Sequence, residues 1–175
     1  PAVGGKEYVM HYLANALAGL GHNVTVVAKR VSWKRPQQEQ AYDLCLYSLP
    51  IKGSGKSGLD LCSAILAVTL LDRKKKFDVL NCHGVDYAGT MARHLKALCK
   101  LPLVMTPHGQ DVRKIPDIGF GLRLTDVWDR RISENLKAAN YVTAISRSVR
   151  QDLDMIPAKR IVDIPNGIDT NLFSP

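Results

Sequence analysis

Aromatic side chains are scarce, at 6% of 175 residues, so the core has to be built from aliphatic groups. The four cysteines, Cys45, Cys62, Cys82 and Cys99, lie far apart with no Cys-x-x-Cys step. That spacing excludes the usual zinc and redox motifs and leaves buried free thiols in a reducing compartment as the expectation. The longest apolar stretch covers residues 65–71, far short of the roughly 18 to 20 residues of a membrane span. The first residues lack the basic, apolar and small-residue succession of a signal peptide. There is no internal repeat and no low-complexity segment. A soluble, untargeted chain is expected.

Its length suits one domain and is short for two. Hydrophobic residues at 46% and charged residues at 23% are near the globular average, which excludes wholesale disorder. Lys and Arg number 24 against 16 Asp and Glu, a net charge of +8, so anions such as nucleotides, lipid headgroups or nucleic acid are attracted. The densest basic cluster, Arg73-Lys74-Lys75-Lys76, follows an apolar helical segment. Cations there favour the helix carboxyl end, and a solvated helix end accounts for them.

Val9, Tyr12, Leu13, Ala16, Leu17 and Leu20 fall on one helical stripe, and Gly21 stands where a C-terminal cap belongs. The β-branched segment 24–28 reads as a buried strand and 29–40 as a loop. The alternation continues with strand 45–48, helix 59–71, strand 78–82, helix 87–99, strand 103–106, a long amphipathic segment from about 121 to 139, strand 141–145, helix 146–154 and strand 160–164. Strands alternating with helices of this length predict an α/β fold with a parallel, doubly wound sheet. Gly4-Gly5 opens the first helix with no strand before it, although a glycine-rich phosphate loop ordinarily follows a strand. A first strand is therefore expected to be missing.

Paired glycines at a helix start let backbone N–H groups approach an anion, although a tight turn is reason enough for them. His108 closes a predicted strand at its carboxyl edge, where open α/β sheets bind ligands, and His83 stands at the same edge of the preceding strand. Either imidazole can exchange hydrogen bonds with a ligand hydroxyl or simply bond a neighbouring backbone group. Asp111 suits ligand hydroxyls or a cap after the strand, and Ser146 suits a helix N-cap. Arg147 and Arg150 on the helix that follows meet an anionic ligand or only water. His11, His22 and His94 read as structural or solvent-facing. Trp128 joins a stripe with Leu124, Val127 and Ile132, which points to packing rather than stacking on a ligand.

Gly4-Gly5-x-Glu7 with Leu13-Ala14-x-x-Leu17 and Gly21-His22-x-Val24-Thr25-Val26-Val27 resembles the opening of glycosyltransferase family 4, the group 1 enzymes. In family order follow His83-Gly84, then Pro102-Leu103-Val104-Met105-Thr106-Pro107-His108-Gly109-x-Asp111, then Val142-Thr143-Ala144-Ile145-Ser146 and Ile164-Pro165-Asn166-Gly167-Ile168-Asp169. Each is weak alone; their order and spacing make the resemblance specific.

The resemblance implies a GT-B fold, in which two Rossmann-like domains face each other across a cleft. Residues 1–175 would form the amino-terminal, acceptor-side domain, with the donor-binding carboxyl-terminal domain absent from this chain and acting in cis. The implied reaction moves a hexosyl group, with retention of configuration, from a nucleoside-diphosphate sugar to an acceptor sugar or lipid-linked acceptor. It implies no cofactor, no metal and no nucleic-acid partner. By likeness, Gly4 and Gly5 contact the donor phosphate and His108 the transferred sugar, while His83, Asp111, Ser146 and Arg147 belong to the acceptor and sugar side. The implied location is the cytoplasm, with peripheral contact to the anionic inner face of the membrane.

Two other readings stay open. Residues 50–57 end like a Walker A loop, yet Pro50 stands where that pattern requires glycine. A flexible Gly/Ser loop with lysines is the simpler account. The +8 charge also fits a non-enzymatic domain for anionic membranes or polysaccharide.

Overall fold

The computed structural model describes residues 4–29, 43–47, 58–158 and 160–167, and the chain divides after Lys75 into two compact units. The first holds helix α1 (Gly5–Gly19), strand β1 (Thr25–Lys29), strand β2 (Asp43–Tyr47) and helix α2 (Gly58–Lys75). β1 and β2 pair in parallel, with Thr25 opposite Asp43 and Lys29 opposite Tyr47. Gly21, at φ +91°, turns the chain just after α1, as the end of the stripe predicts. α2 runs past the expected 59–71 because Arg73, Lys74 and Lys75 make up its last turn, beside the carbonyl groups whose partial negative charge favours cations. Lys75 also pairs with Asp43. Cys62 is exposed on α2 and Cys82 is buried, so burial of the thiols is not general. The Walker-like segment lies outside the described residues.

The second unit runs β3 (Leu80–His83), α3 (Tyr87–Cys99), β4 (Leu103–Thr106), two short 3-10 turns at Pro116–Ile118 and Leu122–Leu124, α4 (Asp126–Ala138), β5 (Tyr141–Ala144), α5 (Arg147–Asp154) and β6 (Ile161–Asp163). Its sheet has the order β3-β4-β5-β6 and every pairing is parallel. A helix between each pair of neighbouring strands makes this a succession of βαβ crossovers.

Its helices follow the apolar periodicity. α3 buries Gly89, Ala92 and Leu95, α4 buries Ile132, Asn135 and Leu136, and α5 buries Val149 and Leu153. Of these, Ala92, Ile132, Leu136, Val149 and Leu153 close on Leu103 and Met105 of β4 and Val142 and Ala144 of β5 in one aliphatic cluster. Each large aliphatic side chain so buried contributes about 1.5 to 3 kcal/mol.

Side chains fix the helix starts: Asp86 accepts the Ala88 N–H at 3.2 Å, Thr125 that of Trp128 and Ser146 that of Val149 at 3.3 Å. The Thr125 cap is why α4 begins later than the expected residue 121. Thr125 is extended, at φ −105° and ψ 141°, and the preceding residues are spent on the 3-10 turns and an Ile115–Phe120 bridge. Val127, placed on the apolar stripe by the sequence, is exposed, whereas Ile132 is fully buried. Among the described residues no helix is long and apolar enough to cross a membrane.

Candidate functional site at the carboxyl edge of the sheet

β3 and β4 end together, with His83 opposite Thr106, and the Gly84 N–H extends the ladder by one bond to the Thr106 carbonyl at 2.8 Å. His108 follows Thr106 by two residues. Immediately after each histidine stands a glycine in the left-handed region, Gly84 at φ +97° and Gly109 at φ +107°, a conformation side chains with a Cβ rarely adopt. Both loops thus turn sharply at the strand ends, and the two imidazoles meet over the edge. His83 Nδ1 lies 3.0 Å from His108 Nε2, with ring centroids 5.3 Å apart and planes tilted by 33°. Both rings are half-buried.

Asp111 fastens the two loops to each other. Its Oδ1 accepts the His108 N–H at 2.9 Å and its Oδ2 the Val85 N–H at 3.0 Å, and the residue is only 7% exposed. Burial raises its carboxyl pKa above the ordinary value, while the bonds from Val85 and His108, which favour the ionised form, pull it down. Of the two uses foreseen for Asp111, the geometry displays the capping one: both oxygens hold backbone amides.

The carbonyl of Val85 is gripped as well. Nδ2 of the fully buried Asn135, on α4, donates to Val85 O at 2.9 Å, to Asp86 O at 3.2 Å and to Thr90 Oγ1 at 3.1 Å. Asn135 Oδ1 is buried with no partner. Beneath the histidines, the buried hydroxyls of Thr143 and Thr106 bond at 2.6 Å across β5 and β4. Two buried polar side chains therefore immobilise the loop after His83, and one also holds the loop carrying His108.

Ser146 and Arg147 gather separately, at the end of β5. A 290 Å³ cleft there is lined by Ala144, Ile145, Ser146, Arg147, Arg150, Asp163 and Pro165. Ser146 caps α5 and Arg147 is exposed. Arg150 is committed to Asp154 and Asp163, each at 3.0 Å.

Gly4 and Gly5 belong to the first unit. The Gly4 N–H donates to Glu7 Oε2 at 3.0 Å, so a carboxylate of the chain already occupies part of the anion-favouring start of α1. A side chain at Gly5 would meet nothing within 4 Å.

The remaining histidines follow the structural reading. His94 Nδ1 contacts the Thr90 carbonyl at 2.8 Å, His11 Nε2 contacts Asn15 at 3.1 Å, and His22 is exposed. Trp128 packs edge-to-face with Tyr87 at 4.9 Å, beneath the Arg131 guanidinium at 5.6 Å. Among the described residues no three His, Cys, Asp or Glu side chains gather as a metal site would require. Sequence reasoning missed Asn135, although a polar residue three positions from Ile132 on the apolar stripe of α4 was the available signal.

A parallel α/β unit of this order has a Rossmann-like fold, and its polar groups collect where the strands end. The family described as Glycosyltransferase Family 4 matches residues 3–172, and the chain belongs to it. Its fold is that of a GT-B glycosyltransferase domain. Sucrose-phosphate synthase from Thermosynechococcus elongatus is similar at a TM-score of 0.80 and 17% identity, over 99% of this chain and 45% of that one. A second solved chain of the synthase is similar at a TM-score of 0.64 and 17% identity, over 93% of this chain and 85% of that one. This chain thus spans less than half the length of the first. No curated protein matches it.

Proposed function

We propose that this chain is the acceptor-side domain of a retaining glycosyltransferase that moves a hexosyl group from a nucleoside-diphosphate sugar to an acceptor hydroxyl. The bond from the anomeric carbon to the diphosphate breaks, the acceptor oxygen bonds to that carbon, and the acceptor proton leaves with the departing phosphate. No protein nucleophile is assigned. Beside the family membership, the observation that carries the reading is the pair of imidazoles held over the carboxyl ends of β3 and β4.

In this reading His108 bonds the transferred sugar, and His83 lies beside it on the sugar side. Asp111 keeps the loops carrying both rings in place. Ser146 and Arg147 belong to the acceptor side, where an exposed guanidinium suits an anionic acceptor. The N–H groups of Gly4 and Gly5 meet the donor phosphate, for which the Glu7 carboxylate has to move aside. A donor-binding domain in cis supplies the other wall of the cleft, and the reaction proceeds on the cytoplasmic side.

The test is a transfer assay on the full-length protein with a panel of nucleotide sugars and acceptors, run beside this chain alone. Full-length protein is expected to transfer and the lone chain to be inactive, because orientation between two walls is worth roughly 7 to 11 kcal/mol. His108→Ala is expected to lower turnover tenfold or more, as loss of about 1 to 4 kcal/mol of transition-state bonding dictates. Robust turnover by the lone chain, or full activity of H108A, would overturn the assignment.

A further inference from the structure

We infer that His83 is a positioning residue whose tautomer is coupled to that of His108, so that the two rings carry the hydrogen on the same nitrogen. At 3.0 Å, His83 Nδ1 and His108 Nε2 form a contact that one N–H and one lone pair satisfy. Two facing N–H groups repel, and two facing lone pairs leave a half-buried polar contact without a proton. With both rings neutral, only two arrangements remain. In one, His83 bears its hydrogen on Nδ1 and donates, so His108 accepts at Nε2 and bears its own hydrogen on Nδ1. In the other, His108 donates from Nε2 and His83 bears its hydrogen on Nε2. The two rings are therefore locked into the same tautomer.

The surroundings make the lock rigid. Gly84 and Gly109 turn both loops at the ring-bearing residues, and Asp111 bonds the His108 backbone N–H and the Val85 N–H with one carboxyl group. Asn135 fixes the Val85 carbonyl. Neither loop can withdraw without breaking a buried hydrogen bond, so His108 cannot adopt a tautomer that His83 does not permit. The far nitrogen of His108, Nδ1, is thereby a donor when His83 donates and an acceptor when His83 accepts. The catalytic consequence rests on the glycosyltransferase reading; the tautomer lock does not.

The experiment uses full-length protein labelled with 15N at histidine, whose long-range 1H–15N spectra report the tautomer of each ring, with H83N and H108Q providing assignment. At a pH where both rings are neutral, His83 and His108 are expected to show the same tautomer. His83→Ala removes the matching partner and should shift the His108 nitrogens. His83→Asn places an amide where His83 Nδ1 was and should preserve the contact, whereas His83→Gln places it one bond too far. In the transfer assay, H83N is accordingly expected to keep turnover near that of the native protein, and H83A and H83Q to lose about tenfold. Opposite tautomers in the native protein, or His108 nitrogens unmoved in H83A, would overturn the lock even if no transferase activity were found. Activity equal in H83N and H83A would overturn its catalytic role.

Discussion

Replacing Asp111 by asparagine removes half of the fastening between the loops that carry His83 and His108. The carboxylate accepts two backbone N–H groups at 2.9 and 3.0 Å. Asparagine keeps one acceptor and turns an NH2 toward the other donor. The lost charge-assisted bond is worth about 1.5 to 3 kcal/mol, and the buried N–H left unpaired costs about 1 to 3 kcal/mol more. Against this, the variant no longer buries a charge, a cost revealed by the raised pKa of Asp111. A net loss of about 1 to 3 kcal/mol is expected for D111N and a larger one for D111A, which orphans both donors. Urea unfolding midpoints, followed by backbone circular dichroism, measure it. The pH dependence is a second check. A carboxyl whose folded pKa is raised contributes stability that is complete below its unfolded value of about 3.9 and is lost as pH rises through the folded value. The stability gap between native protein and D111N should therefore widen as pH is lowered from neutral toward 4. Equal midpoints at neutral pH would refute the staple, and a gap that narrows with acid would show that the two amide bonds outweigh burial in setting the Asp111 pKa.

Gly121 has φ +114°, and a Cβ there would lie 2.0 Å from the Arg113 carbonyl oxygen. Gly121→Ala should cost at least about 3 kcal/mol from backbone strain and overpacking combined, which thermal unfolding would register as a large drop in Tm. Asn135→Asp turns a donor that serves three oxygens into a carboxylate facing them, and should destabilise by about 3 to 5 kcal/mol. Asn135→Ala should cost less, since it leaves unmet acceptors but no buried charge. Unfolding midpoints that rank the alanine variant below the aspartate one would show that the Asn135 amide is not the donor described.

Much of the fold was legible because its causes are local. Alternating strands and helices, apolar spacing on α3, α4 and α5, and capping residues such as Ser146 act within a few positions of themselves, so they survive in a linear reading. The beginning of α4 was misplaced for the same reason in reverse: residues 121–124 have helical composition, but the Ile115–Phe120 bridge and the Thr125 cap decide where the backbone turns. Val127 lies on the predicted stripe yet faces outward, since a stripe read from spacing does not say how wide the covering surface is.

By itself the sequence determined the family, the α/β class and the position of His83 and His108 at strand ends, because those follow from ordered motifs and from where each strand stops. Only the tertiary structure decided what the polar groups do there. The His83–His108 contact joins residues 25 apart, the Asp111 bond to Val85 spans 26, and the Asn135 bond to Val85 spans 50. Each depends on the parallel register of β3 on β4 and on the packing of α4 against α3. A single shift of register would reverse which faces of the strand meet and dissolve the pair, so no spacing along the chain encodes it.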